Sequence, residues 1–141
     1  MIEINNLTNF VIDKKSFSQV AKKVLSGENR ETPACRQAGR TVSLAFVSPA
    51  EMQKLNKKFR KKNKPTDVLS FLLNDKDCFG EIVICPAVVK ENSKKFKVST
   101  KSEMLKVFVH GILHLCGYDH EKSQKKAEEM EKRQEKYLLG K

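Results

Sequence analysis

The chain's three histidines all fall in one segment, His110-Gly-Ile-Leu-His114-Leu-Cys-Gly-Tyr-Asp-His120. His110 and His114 are four apart, so on a helix both imidazoles leave the same face, with Cβ atoms ~5–6 Å apart. Ring nitrogens from such a pair can reach one ion at ~2.0–2.1 Å. Gly117 can break the helix in a left-handed conformation, which lets the chain turn back and bring His120 to the same ion from another direction. Three neutral nitrogen ligands leave the fourth tetrahedral position open, the pattern of catalytic rather than structural zinc. Water held there has its pKa lowered to roughly 7, a usable source of hydroxide. The expectation is one divalent metal ion, zinc by preference, working in hydrolysis. Asp119 is placed either to orient a ligand imidazole or simply to decorate the surface. Zinc peptidases of the HExxH type carry a glutamate base directly after the first histidine; here that residue is Gly111.

The histidines need a helix, and the sequence supplies one from about Thr100 to Cys116. Thr100 and Glu103 have the spacing of a capping box, Leu105, Phe108, Val109, Ile112 and Leu113 form an apolar face, and Gly117 is the stop. A second capping signal, Ser48-Pro49-Ala50-Glu51, opens a helix with Met52, Leu55 and Phe59 on its apolar side. Further helices are expected over Lys14–Ser26, ended by Gly27, from Pro86 to Phe96, and over Lys122–Leu139 with a stripe of Ala127, Met130 and Tyr137. Strands are expected at Ile2–Ile4, Thr41–Val47, Val68–Leu73 and Gly80–Cys85, with a turn around Asn74–Asp77. Residues 28–40 have no period and contain Pro33 and Gly39, so they read as a loop. With no repeat and no boundary, residues 1–141 form a single α/β (α+β) domain. Its mixed sheet has about four strands, with helices packed over it and the metal site on a central helix.

Composition narrows the partners. Lys and Arg number 28 against 17 Asp and Glu, a net charge of +11, and a polyanion such as RNA or DNA gains by counterion release on such a surface. A domain of this length buries roughly two-thirds of its unfolded surface, so a metal is not needed merely to hold the fold. Cys35, Cys78, Cys85 and Cys116 form no CxxC pair and no disulfide framework. The amino terminus is polar too early for a signal peptide, and no apolar run approaches the ~20 residues of a membrane span. These features suit a cytoplasmic protein without a membrane partner.

The histidine motif, together with Lys64-Pro65-Thr66-Asp67-Val68-Leu69-Ser70-Phe71 and Gly80-Glu81-Ile82-Val83-Ile84, resembles the YbeY family of bacterial metal-dependent endoribonucleases, from the strand at Val42 through the last helix. Leu55-Asn56 followed by Phe59-Arg60 is similar to that family's Asn-x-x-Tyr/Phe-Arg segment. The resemblance implies a mixed sheet with helices on it and a zinc-type ion on His110, His114 and His120. It also implies cleavage of single-stranded RNA, in maturing the 3′ end of small-subunit ribosomal RNA and in ribosome quality control. Arg60 matches the arginine that the family places near its metal, and Arg60 and His110 carry the catalytic assignment. Two departures stand out: Glu81 replaces the usual aspartate, and the 28–40 loop matches nothing in the family pattern and reads as a surface insertion.

An RNA-cleaving site must meet negative charge building on phosphorus. Arg60 offers a permanently charged planar fork, and Lys57, Lys58, Lys61, Lys62 and Lys64 around it could follow a sugar-phosphate backbone. Arg60, Lys61 and Lys64 are the substrate-binding candidates. Thr66, Asp67 and Ser70 are open between turn-making and a part in the site. Ribosomal RNA, the ribosome and ribosome-associated factors are the expected partners. Two other readings compete: a ribosome- or RNA-associated binding protein with a structural metal, and a zinc metallopeptidase that lacks its glutamate.

Overall fold

The computed structural model describes residues 2–28, 41–73, 78–115 and 124–139. In chain order the elements are β1 (Ile2–Asn6), α1 (Lys14–Glu28), β2 (Thr41–Phe46), α2 (Pro49–Arg60), β3 (Val68–Leu72), β4 (Cys78–Ile84), α3 (Pro86–Phe96), α4 (Thr100–Leu115) and α5 (Gln124–Leu139). The sheet runs in the order β1-β2-β4-β3. β2 lies parallel to both β1 and β4, and β3 closes the edge antiparallel to β4, with Val68 opposite Ile84 and Leu72 opposite Gly80. The expected mixed four-stranded sheet under helices is the observed fold.

Alternation along the strands gives the sheet two apolar faces. Leu44, Phe46, Ile82 and Ile84 face one side, where α1, α4 and α5 bring Phe17, Val24, Phe108, Ile112, Met130 and Tyr137 into the larger core. Phe17 packs edge-on against both Phe46 and Phe108, with ring centroids 5.3 and 5.2 Å away. Leu69, Val83 and Cys85 face the other side, against Met52 and Leu55 of α2 and Ala87 and Val88 of α3. Helix α4 is therefore buried on most of its circumference.

Two glycines set how closely α4 approaches the sheet. A Cβ on Gly111 would lie 3.0 Å from Ser70 Oγ and 3.2 Å from Ile82 Cγ2; one on Gly80 would lie 2.7 Å from Leu115 Cδ1. Ser70 Oγ donates to the Gly111 carbonyl at 3.3 Å, which ties β3 to the middle of α4.

The helix ends differ from the sequence expectation in two places. Helix α4 is capped by Ser99, whose Oγ accepts from Ser102 N at 3.0 Å while its carbonyl accepts from Glu103 N at 3.1 Å. Thr100 is already helical and its hydroxyl lies 3.2 Å from that of Ser93, so the Thr100–Glu103 capping box does not form and Glu103 is released for another use. Helix α1 runs through Gly27 to Glu28, since a glycine permits but does not compel a left-handed stop. Ser48 behaves as expected, accepting from Glu51 N at 3.3 Å with Pro49 in the first turn.

Two outcomes follow for stability. Gly111→Val adds three carbons where even the first would press on Ser70 and Ile82, and urea unfolding should show a loss of about 1–3 kcal/mol from overpacking. Asp13 precedes α1 and accepts from the Ser16 hydroxyl at 2.7 Å, from Lys101 Nζ at 2.9 Å and from Ser16 N at 3.2 Å. These bonds hold its carboxyl well below the usual aspartate range. A depressed folded-state pKa stabilises above the unfolded value, about 3.9, and that contribution drains away as the pH falls. Asp13→Ala should therefore melt below the parent protein at neutral pH, by a margin that narrows progressively below pH ~4.

Candidate functional site

Helix α4 turns one stripe of its surface toward a cleft. Glu103, Val107, His110 and His114 follow one another at intervals of four, three and four, and all line a cleft of about 690 Å³. The imidazoles of His110 and His114 meet edge to face, with centroids 4.5 Å apart, and their Nε2 atoms are 3.0 Å apart. Two nitrogens bound to one tetrahedral zinc at ~2.0–2.1 Å stand roughly 3.3 Å from each other. The pair thus converges at the spacing a shared cation requires.

The sequence reading missed the residue that aims one of these rings. Gln134 occupies the buried stripe of α5 between Met130 and Tyr137 and is only 7% exposed. Its Oε1 lies 2.5 Å from His110 Nδ1. A carbonyl oxygen only accepts, so Nδ1 carries the proton and Nε2 keeps the lone pair directed at His114. The one sequence signal was an amide in an otherwise apolar stripe.

Arg60, Lys62 and Lys64 also line the cleft. Asn56, buried in α2, holds the segment after the helix: its side-chain Nδ2 donates to the Lys64 carbonyl at 2.8 Å, and its main-chain carbonyl accepts from Lys62 N at 3.3 Å. Gln53 Nε2 adds a bond to Asn63 Oδ1 at 3.0 Å. Lys61 takes the left-handed conformation that ends α2, with φ of 57°, and is exposed. It is not among the described residues that line the cleft, whereas its neighbour Lys62 is.

Thr66, Asp67 and Ser70 line the cleft and also do structural work. Asp67 Oδ1 accepts from Val68 N at 2.8 Å and from the Thr66 hydroxyl at 3.3 Å, and the Asp67 carbonyl accepts from Cys85 N at 2.9 Å. Glu81 is half-buried in β4 and is not among the described lining residues. Glu103, only 5% exposed, is a further lining residue. Burial pushes its carboxyl up from the ordinary range; Lys106 offsets part of this and Asp67 adds to it.

His120 and Asp119 lie outside the described residues, as do Gly117 and residues 29–40 of the expected loop. Among the described residues no three His, Cys, Asp or Glu side chains group as a metal site. What the described part supplies is two converging imidazoles, one of them with its tautomer set. Gly111 also accounts for the absent peptidase base. That position faces Ser70 and Ile82, so a glutamate there would enter the packed sheet instead of the cleft.

Fold and site together define an α+β protein with a histidine pair in a cleft that basic residues also line. The family described as endoribonuclease YbeY matches residues 3–140. The chain belongs to that family. Endoribonuclease YbeY of Thermotoga petrophila is 48% identical over 97 residues, covering 69% of this chain and 65% of the relative. The protein of the same name from Aliarcobacter butzleri is 38% identical over 125 residues, covering 86% and 80%. The aligned part of this chain thus spans just under two-thirds of the first relative's length. The solution structure of TM1509 from Thermotoga maritima superposes with a TM-score of 0.67 at 35% identity, covering 98% of this chain and 87% of that one.

If Gln134 aims His110 at a cation, Gln134→Leu should weaken zinc binding about 10- to 100-fold, as loss of a ligand's hydrogen-bond partner does elsewhere. Gln134→Glu keeps the acceptor and should bind at least as tightly as the parent. Competition against a chromophoric chelator measures both.

Proposed function

We propose that the chain is a metal-dependent endoribonuclease acting on single-stranded ribosomal RNA. In this reading it trims the 3′ end of small-subunit RNA and serves ribosome quality control, in a cytoplasmic setting beside the ribosome. The observation that carries the proposal is the 3.0 Å approach of the His110 and His114 Nε2 atoms in a cleft walled by Arg60, Lys62 and Lys64. Membership of a family described as endoribonuclease supports the reaction class, and the net charge of +11 supports an RNA partner. Among the described residues no helix is long and apolar enough to cross a membrane.

His110 and His114, with His120 as the third ligand, would hold one divalent ion, and neutral imidazoles suit zinc. When bound, the ion supplies a Lewis acid for a phosphoryl oxygen and lowers the pKa of water beside it. The chain's own residues do the rest. Lys62, Lys64 and Lys106 draw the phosphate backbone into the cleft. Arg60 offers its fork to the phosphate whose charge increases as cleavage proceeds. Gln134 keeps the His110 proton on Nδ1, so that Nε2 stays available.

A binding protein with a structural metal is less well supported. The larger core is an apolar cluster that α1, α3, α4 and α5 build on the sheet, which supports a fold that stands without an ion. The peptidase reading has no room for its base at Gly111.

Incubating the zinc-loaded protein with a single-stranded RNA tests the proposal. Cleavage should disappear in His114→Ala, and Arg60→Ala should lose about 10²–10³-fold in kcat, with circular dichroism unchanged in both. Undiminished cleavage by His114→Ala would contradict the assignment.

A further inference from the structure

Glu103 is a carboxylate that nothing among the described residues explains. It lies two helical turns before His110 on the same stripe of α4, about 10 Å along the axis. It is 95% removed from solvent and yet lines the cleft. Buried polar groups are almost always hydrogen-bonded. Among the described residues, however, no donor bonds to the Glu103 side chain: its backbone N–H is engaged with Ser99 O, and its electrostatic neighbours are Lys106 and Asp67. The capping task its position suggests is performed by Ser99.

The surroundings define what it would bind. Arg60, Lys62, Lys64 and Lys106 make the cleft attractive to phosphate, whereas a carboxylate repels phosphate. Its partner must therefore be an uncharged donor carried between phosphates. A cation is poorly served, because Asp67, the carboxylate that acts on Glu103 among the described residues, already accepts from Val68 N and Thr66 Oγ1 and no third acidic or histidine ligand groups with the two among the described residues. A nucleotide offers such donors in the ribose 2′-hydroxyl and in base amino or imino groups, and the 2′-hydroxyl is the group that separates RNA from DNA.

We propose that Glu103 is a substrate-recognition residue that accepts a hydrogen bond from a nucleotide flanking the scissile phosphate, through the ribose 2′-hydroxyl or a base N–H. This rests on the reading of the cleft as an RNA site. A subsite built to bond a hydroxyl or amine rejects a substrate that lacks it, because the buried acceptor is then left bare.

The test compares the zinc-loaded parent with Glu103→Leu, which removes the acceptor at similar size, on one single-stranded RNA. The RNA carries in turn a single 2′-deoxy sugar, or a base lacking its amino group, at each position near the cut. In the parent, one such change should lower kcat/KM about tenfold or more; a 2′-deoxy change identifies the sugar as the partner, a base change the base. The same change should cost Glu103→Leu less than about threefold, because leucine has no acceptor and the contact is already gone. A penalty profile identical in the two proteins overturns the proposal. A second measurement needs no substitution: the Glu103 side-chain carboxyl ¹³C resonance should move when the zinc-loaded parent binds an uncleaved, phosphorothioate-linked RNA hexamer. RNA that binds while this resonance stays fixed overturns the Glu103 assignment alone. RNA that neither binds nor is cleaved overturns the reading of the cleft and this inference with it.

Discussion

The site depends on how tightly α4 is pressed to the sheet. Gly111 lets the helix backbone sit against Ser70 and Ile82, and Gly80 admits Leu115 one turn further along. With Phe108, Ile112 and Leu113 buried on the remaining faces, rotation of the helix about its axis is blocked by packing as dense as that of a crystal. Histidines four residues apart on a free helix would sample many ring orientations. On a helix held this way, their Cβ positions are set before any ligand arrives.

Two outside contributions complete the arrangement. Helix α5 covers α4 and inserts Gln134 behind His110, so a stripe that is otherwise a packing surface also settles a tautomer. Across the cleft, Asn56 converts the end of α2 into a fixed platform by bonding the backbone on both sides of Asn63. Lys64 is held by that buried side-chain amide, and Lys62 by the Asn56 main-chain carbonyl. The basic and the histidine linings therefore come from separate elements, and a buried side-chain amide bonds one residue of each, Lys64 and His110.

Much of the fold was legible in the sequence because it follows from local rules. Period-two runs gave the strands, and Ser48-Pro49 and Pro86 marked helix starts that the structure keeps. The His110–His114 spacing announced convergence, since one helical turn dictates it. What escaped depends on contacts distant in sequence. Gln134 stands 24 residues from the ring it orients, and nothing local separates it from a solvent-facing glutamine except its place between Met130 and Tyr137. Glu103 read as a cap because the S/T-x-x-E spacing fits Thr100; the spacing of Ser99 to Ser102 fits a cap equally well, and the folded helix uses it. Lys61 and Lys62 could not be ranked beforehand, because the left-handed turn at Lys61 decides which of them faces the cleft. Gly111 read as a missing glutamate, when its role is to let two elements touch.

Zinc K-edge X-ray absorption on the metal-reconstituted protein addresses the central claim most directly. Imidazole nitrogens at ~2.0–2.1 Å, with multiple scattering that fits three rings and one additional light atom, are the predicted result. Sulfur in the coordination shell at ~2.3 Å, or failure of the protein to retain the ion through gel filtration, would contradict a histidine centre with an open position.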